Sequence, residues 1–238
     1  SDFTWETVVT KNIGLDLGLL NNRLNMTADI YVRDTKDMLM ASKDLPNVYG
    51  ASSPKTNAAN LRTKGWEASI SWNDSFNLKG KAFHYSVVLG LADNTTKVTK
   101  YNNDNKTLGT PYEGQQLGEI WGYVVDGLFK TDEEAENYPV NQSYVNNILN
   151  ISVKSQGLHA GDVKYVDLDG DNIISPTLSA NDVKDQKVIG NSLPRYTYSV
   201  RLAADWNGID FSALLQGVGR QHWYPNGETS LFWGPYAR

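Results

Sequence analysis

The sequence contains no cysteine, no excess of basic residues and no long apolar run, and each absence excludes a class of protein. Without cysteine there is no disulfide framework, thiol nucleophile or zinc–thiolate site. The 238 residues carry a net charge of −5, so no basic stripe is available to neutralise nucleic-acid phosphates. No segment approaches the roughly 18 consecutive apolar residues of a membrane-spanning helix. We therefore expect neither a nucleic-acid partner nor a helical membrane anchor.

Aromatic residues are plentiful, and apolar and polar residues alternate over long stretches. Trp and Tyr contribute 7 and 13 residues, which favours β-structure with amphipathic rings at a boundary. Between residues 24 and 33 the even positions are apolar, from Leu24 to Val32, and the odd positions are polar. This period of two is typical of a strand with one apolar face. The same alternation predicts six strands, over residues 7–17, 24–37, 62–72, 83–91, 195–206 and 209–217.

The connections between these strands alternate between short and long. Residues 18–23, 73–82 and the Asn207–Gly208 pair are short, and the last is a favoured two-residue hairpin turn. The connections at 38–61 and 98–194 are long. Outer-membrane barrels combine short periplasmic turns with long extracellular loops in this way. We therefore predict an all-β antiparallel arc of a large transmembrane barrel, in which residues 98–194 form an extracellular loop region.

This pattern also predicts which residues share an end of the sheet. Asn21, Ser75 and Asn207 are expected at the end with the short turns. Leu45, Trp121 and Asp169 are expected at or beyond the other end.

A soluble antiparallel β-sandwich, such as a glycan-binding module with a calcium-stiffened loop, is the alternative. The two folds differ in the surroundings of Leu24, Ile30, Val200 and Leu202, which face lipid in a barrel and a second sheet in a sandwich. Strands of about 11–15 residues, against about 5 or 6 in soluble proteins, favour the barrel. Aromatic residues near the strand ends also favour the barrel, because such barrels have girdles of aromatic residues at the membrane interfaces. These rings are Trp5, Trp66, Trp72, Tyr85, Tyr196, Trp206 and Trp223.

Several stretches, in order, resemble a known family. They are "TWETVVTKNIGLDLGLLNNRLNMTADIYVRDTKDML", "PKTNAANLRTKGWEASISW", "GQQLGEIWGYVVDGLF", "GDVKYVDLDGDNIIS" and "VIGNSLPRYTYSVRLAADWNGIDFSALLQGVGRQHWYP". Together they resemble the SusC/RagA-type TonB-dependent outer-membrane transporters of Bacteroidota, from Trp5 to Pro225. Agreement over several ordered segments is far more specific than any single motif.

The resemblance implies a plugged barrel of the 22-stranded class in the bacterial outer membrane, in contact with its lipid. It implies import of oligosaccharide or peptide cargo, powered through TonB, with a SusD-like surface lipoprotein as partner. No plug region or TonB-contact segment is recognised in the sequence. On this resemblance, residues 1–238 are expected to be a later part of such a barrel, and TonB is expected to act through the absent plug.

The stretch "YVDLDGDNIIS", residues 165–175, is the candidate metal site. Asp167, Asp169 and Asp171 alternate as the first ligands of a calcium loop do. The bidentate Glu expected at the twelfth position is replaced by Leu178, so the loop is not a complete EF-hand. Asp182 or Asp185 is able to supply a missing carboxylate if the loop folds back. A solvated Asp-Gly turn is the alternative, and no cofactor is required in either case.

The apolar segment before this loop offers candidate contacts with a partner or substrate. Trp121, Tyr123 and Phe129 are the rings concerned, and a small core that organises the long connection is the alternative. A short helix at 132–137, capped by Thr131, is predicted next to it. The three histidines are scattered and no catalytic constellation emerges, so we expect no enzymatic activity.

Overall fold

A computed structural model describes residues 3–41, 55–148 and 158–224, which form ten strands and two short helices. The six long strands are β1 (Thr7–Leu19), β2 (Leu24–Ala41), β3 (Lys55–Leu78), β4 (Lys81–Lys100), β9 (Arg195–Trp206) and β10 (Ile209–Arg220). The shorter elements are β5 (Glu119–Tyr123), β6 (Val125–Leu128), α1 (Asp132–Glu136), α2 (Ser143–Ile148), β7 (Val163–Tyr165) and β8 (Gln186–Asn191).

The six long strands form a single sheet in the order β1-β2-β3-β4-β9-β10. Every neighbouring pair is antiparallel, and β1 and β10 lie at its two edges. The predicted antiparallel all-β arc of six long strands is therefore confirmed. Strand order follows chain order except that the chain between β4 and β9 makes a long excursion, so the sheet is a meander interrupted once.

Three tight turns lie at one end of this sheet, at residues 20–23, 79–80 and 207–208. Lys79 and Gly80 have φ of 51° and 79°, and Asn207 and Gly208 have φ of 52° and 81°. Positive φ at both central residues is the signature of primed hairpin turns, which match the strand twist. The chain leaves the sheet at Lys100 and returns at Arg195, at the opposite end. We call the two ends the turn end and the loop end.

The strands extend beyond the limits that alternation predicts. Ser75, assigned to a short connection of residues 73–82, lies inside β3 and pairs with His84. That boundary prediction is wrong because a β-ladder needs backbone hydrogen bonds and no apolar side chain. Asn21 and Asn207 do lie in turns. Leu45, predicted for the loop end, lies outside the described residues.

One face of the sheet is apolar and largely uncovered. Ile13, Ile30 and Leu215 expose 73%, 59% and 55% of their surface. Leu24, Val200 and Leu202 are half-buried by their neighbours. In the part of the chain that the structure describes, the strands outside this sheet have only 3 to 6 residues. The two long-stranded layers of the sandwich alternative are therefore not found in these residues.

The opposite face of the sheet is polar and depends on a glycine for one close approach. The Tyr31 ring lies against Gly65 on the neighbouring strand, where an added Cβ would lie 2.5 Å from the ring. The Arg33 guanidinium carbon lies 5.9 Å from the centroid of the same ring. A side chain at position 65 would push the ring away, so glycine permits this aromatic packing.

The described residues of 103–113 and 119–191 form a second compact unit. Strands β5 and β8 pair in one small sheet and β6 and β7 in another. Its buried apolar residues include Tyr112, Phe129, Ala135, Val145 and Ile174. Neither described helix has the length and apolarity that a membrane crossing by a helix demands.

The predicted short helix is confirmed as α1. Thr131 caps it, and its hydroxyl accepts a hydrogen bond of 3.1 Å from the Glu134 backbone N–H. The Glu134 carboxylate in turn accepts from the Lys130 N–H at 2.9 Å. This backbone hydrogen bond lowers the pKa of Glu134.

Candidate functional site

The acidic loop that follows β7 is held by hydrogen bonds between its own side chains and backbone. The Asp167 carboxylate accepts from the backbone N–H groups of Gly170 at 2.7 Å and Asn172 at 2.8 Å. The Asp171 carboxylate accepts from the Ile173 N–H at 2.7 Å. Gly170 has φ of 81°, a conformation that glycine adopts readily and that allows the chain to turn sharply here. The pKa of Asp167 is lowered, chiefly by the hydrogen bond from Asn172.

Asp185 closes the loop from 17 residues away in the chain. It is fully buried, and its carboxylate accepts from the N–H groups of Leu168 at 2.8 Å and Ser175 at 2.7 Å. Carboxylate oxygens of Asp167, Asp169 and Asp185 all lie within 4.8 Å of one another. Two of the three predicted metal ligands thus come together with Asp185. Asp171, the third, does not belong to this group.

Lys184 balances part of the negative charge of this group. Its ammonium lies 3.3 Å from Asp169 and 3.8 Å from Asp182. The hydrogen bond to Asp169 raises the pKa of Lys184, so the ammonium stays charged at neutral pH. Three carboxylates offer the hard oxygen ligands that calcium prefers, but this lysine competes for the same oxygens. A bound calcium ion remains a prediction.

The three aromatic contact candidates differ in their surroundings. Phe129 exposes 2% of its surface and packs edge-on against Tyr138, with ring centroids 5.1 Å apart. This burial corrects the contact prediction for Phe129, whose ring belongs to the small core of the second unit. Trp121 and Tyr123 are half-buried. Their predicted contact with a partner or substrate remains a prediction.

Trp121 is held by a hydrogen bond and Tyr123 by ring packing. The Trp121 indole N–H donates to Glu119 at 2.9 Å, and the Tyr112 hydroxyl donates to the same carboxylate. Burial raises the pKa of Tyr112 to about 12. The Tyr123 ring centroid lies 5.5 Å from that of Tyr165. Its buried hydroxyl has no hydrogen-bond partner in the described part of the chain, and burial raises its pKa to about 12.

Two further charged groups in this unit are missed by the sequence reasoning. The Lys164 ammonium lies 3.1 Å from Asp126 and 3.2 Å from Glu134, which ties β7 to β6 and α1. These hydrogen bonds raise the pKa of Lys164. No local spacing signals this group, because its three members come from three elements. His159 and Asp132, at 3.7 Å, add a second surface pair.

Comparison with known proteins places the whole chain in one family. Residues 1–238 match the family model described as TonB dependent receptor-like, beta-barrel. The chain belongs to the TonB-dependent receptor-like β-barrel family. The two-faced sheet described above agrees with this family's barrel, and the resemblance drawn from the ordered sequence stretches is confirmed.

Curated relatives of this family member include two TonB-dependent receptors of Formosa agariphila. The first, P39, is 30% identical over 90% of the chain, and the second, P3, is 26% identical over 89%. The chain covers 22% and 20% of their respective lengths, so it spans about a fifth of the relatives that it matches.

Solved structures agree on the fold. A RagAB peptide importer in its open-open state matches 91% of the chain with a TM-score of 0.62 and 20% identity. A second RagAB structure, described as a peptide transporter, matches 89% with a TM-score of 0.58 and 19% identity. The chain covers 21% and 20% of these structures. At this identity the likeness concerns the fold of the TonB-dependent receptor barrel.

Proposed function

We propose that this chain forms part of the wall and loop region of an outer-membrane transporter that imports oligosaccharides or peptides. The observation that carries the proposal is the six-stranded sheet of a TonB-dependent receptor barrel, with one uncovered apolar face and one polar face. Lipid covers the first face and the transport lumen borders the second. No enzymatic step is part of this proposal.

The length of the apolar band on β3 supports this placement. Trp66 and Phe76 share a face and lie ten residues apart, and the one charged residue of that face between them, Asp74, is paired with Arg23 at 3.3 Å. At about 3.3 Å per residue and a tilt of about 40°, they are separated by about 25 Å along the membrane normal, which is the height of the apolar band in such barrels. Phe76 packs on Phe83 of β4, with ring centroids 5.0 Å apart, as part of an aromatic girdle at the turn end.

Partners and energy source follow from the same proposal. The family name supports energy transfer from TonB, which in a complete transporter acts through a plug region. A SusD-like surface lipoprotein that covers the extracellular opening is the proposed partner. The RagAB structures are described as peptide transporters, and their likeness supports a peptide as one cargo class beside oligosaccharides. Trp121 and Tyr123 are proposed to contact the lipoprotein or the cargo.

Uptake by cells tests the proposal. We expect deletion of the full-length gene to abolish growth on one class of glycan or peptide, and complementation with the intact gene to restore it. A TonB-deficient strain should show the same defect if import is energised as proposed. Uptake that survives both deletions would contradict the proposed function. A growth screen on purified glycans and peptides separates the two cargo classes.

A further inference from the structure

A group of basic side chains lies on the apolar side of the sheet, just beyond the band of apolar residues at the loop end. Arg62 and Lys64 share the face of Trp66 on β3, since they lie four and two residues before it. Lys97 on β4 is the cross-strand partner of Arg62, and Lys36 on β2 shares the face of Ile30. We call Lys36, Arg62, Lys64 and Lys97 the basic cluster. All four are exposed.

The basic cluster is poorly neutralised by the protein itself. Asp34 accepts hydrogen bonds from Arg62 at 2.6 and 3.1 Å. In the described residues, Lys36, Lys64 and Lys97 have no ion pair. Arg62 and Lys97 stand directly opposite each other on neighbouring strands, an arrangement that destabilises a sheet. An external anion would relieve this repulsion.

Two of the basic residues at the turn end have a side-chain partner. Arg23 lies 3.3 Å from Asp74, and Lys81 donates a hydrogen bond to the Asn207 side chain. The charge of Arg23 is therefore balanced by a carboxylate, whereas Lys81 has a neutral amide as its partner. In the described residues, the loop end therefore holds three lysines of the apolar side without an ion pair, Lys36, Lys64 and Lys97.

The position of the basic cluster identifies the anion that it fits. Lys64 lies two residues beyond Trp66, or about 5 Å further along the membrane normal at the strand tilt used above. That is the level of the lipid headgroups, which begin where the apolar band ends. Basic side chains at this level attract anionic headgroups. A protein partner is less well matched, because this surface faces the membrane.

We propose that the basic cluster binds the phosphate of an anionic lipid in the membrane leaflet at the loop end. The inference rests on the proposed placement of the sheet in the outer membrane. Each lysine contributes a long flexible stem, and the Arg62 guanidinium, held by Asp34, presents a fixed donor beside the site. The cluster therefore anchors this part of the wall at a defined depth.

Spin-labelled lipids test the proposal on the full-length protein reconstituted in phosphatidylcholine vesicles. The measured quantity is the association of spin-labelled phosphatidylglycerol relative to spin-labelled phosphatidylcholine. We expect a preference for phosphatidylglycerol that falls about fivefold for each charge removed in a Lys64→Gln, Lys97→Gln double variant. The Lys64→Arg, Lys97→Arg variant keeps the charge and should keep the preference.

A matched control removes two basic residues at the turn end. The Lys79→Gln, Lys81→Gln variant has the same net charge as the cluster variant, and we expect it to change the preference less than twofold. An equal loss in both variants, or no preference in the unaltered protein, would overturn the proposal. Displacement of the labelled lipid by millimolar inorganic phosphate would also overturn it, since the site would then take a free anion.

The lipid measurement is separate from transport. A cluster variant that loses the lipid preference but assembles and imports cargo supports the lipid site alone. If the unaltered full-length protein prefers the anionic lipid but imports no cargo, the result would count against the proposed function and leave the lipid site supported.

Discussion

Asp185 is the residue on which the acidic loop depends most. Its carboxylate is fully buried and accepts two backbone hydrogen bonds from opposite sides of the loop, at Leu168 and Ser175. A buried carboxylate is costly unless such donors satisfy it. Asp167 has the same function within the loop, but it draws both of its donors from residues nearby in sequence. Asp185 therefore joins the loop to β8, which begins at the next residue.

Asp185→Ala should open the acidic loop without unfolding the sheet. The change leaves the Leu168 and Ser175 N–H groups without their acceptor, at a cost of about 1–3 kcal/mol. We expect hydrogen exchange at these two amides to accelerate about tenfold to a hundredfold. Asp182→Ala is the matched control, because the Asp182 side chain is 77% exposed and, among the described residues, its one ion pair is the 3.8 Å contact with Lys184. Equal acceleration in both variants would refute the role of Asp185.

Calcium and Lys184 compete for the same carboxylates, which makes the metal prediction testable. If calcium binds at 2.3–2.6 Å from these oxygens, it should protect residues 158–190 from protease, and chelator should remove the protection. Lys184→Gln should strengthen the effect of calcium, because the resident cation is gone. Asp169→Asn should weaken it and leave barrel assembly intact. Digestion that is the same with calcium, with chelator and in both variants would identify the loop as a solvated turn.

At the scale of elements, alternation of side chains predicts that strands exist but not where they end. Leu24 to Val32 read clearly as a strand because one face meets an apolar medium and the other a polar one. Residues 34–37 of β2 are polar on both faces and residues 38–41 are apolar on both faces, so the contrast between the faces disappears although the ladder continues to Ala41. The same holds for β3 near Ser75. The alternation of apolar and polar side chains depends on what surrounds each face of the strand. The length of the strand depends on backbone hydrogen bonds to its neighbours, which need no such alternation.

The carboxylate group of the acidic loop could also be predicted from the sequence only in part. Asp167 and Asp169 are recognisable because ligands at alternate positions of one loop leave a local pattern. The third member of the group lies far along the chain, and the sequence offers Asp182 and Asp185 equally. Only the folded path decides between them, since it buries Asp185 and leaves Asp182 in solvent. The burial of Phe129 is likewise a property of packing between elements.

The two-residue turn between β3 and β4 contains an avoidable strain. Lys79 has φ of 51°, a region that Asn adopts more readily than Lys does. Lys79→Asn should therefore stabilise the hairpin by a few tenths to about 1 kcal/mol. Gly80→Ala, at φ of 79°, should destabilise it by about 1 kcal/mol. Thermal unfolding of the full-length barrel, followed by its mobility change on heating, measures both; a lower midpoint for Lys79→Asn would contradict the prediction.

At the scale of the whole molecule, the difference between the two ends of the sheet predicts which end faces the periplasm. Tight turns occupy one end, and the chain makes its excursion through the second unit from the other, between Lys100 and Arg195. Barrels of the outer membrane are inserted so that the short turns stay in the periplasm. On the proposed function, we expect the chain that leaves the sheet between Lys100 and Arg195 to lie on the extracellular side.

Labelling of intact cells tests this orientation. The chain contains no cysteine, so Leu178→Cys and Asn207→Cys each introduce a single reactive thiol into it, in an otherwise cysteine-free full-length protein. Leu178 is 73% exposed and lies outside the carboxylate group, so its replacement leaves the acidic loop intact. We expect a membrane-impermeant maleimide to label position 178 in intact cells and position 207 only after the outer membrane is opened. Labelling of both thiols after the outer membrane is opened shows that each thiol is reactive. Labelling at position 207 in intact cells, with none at position 178, would then reverse the assignment of the two ends.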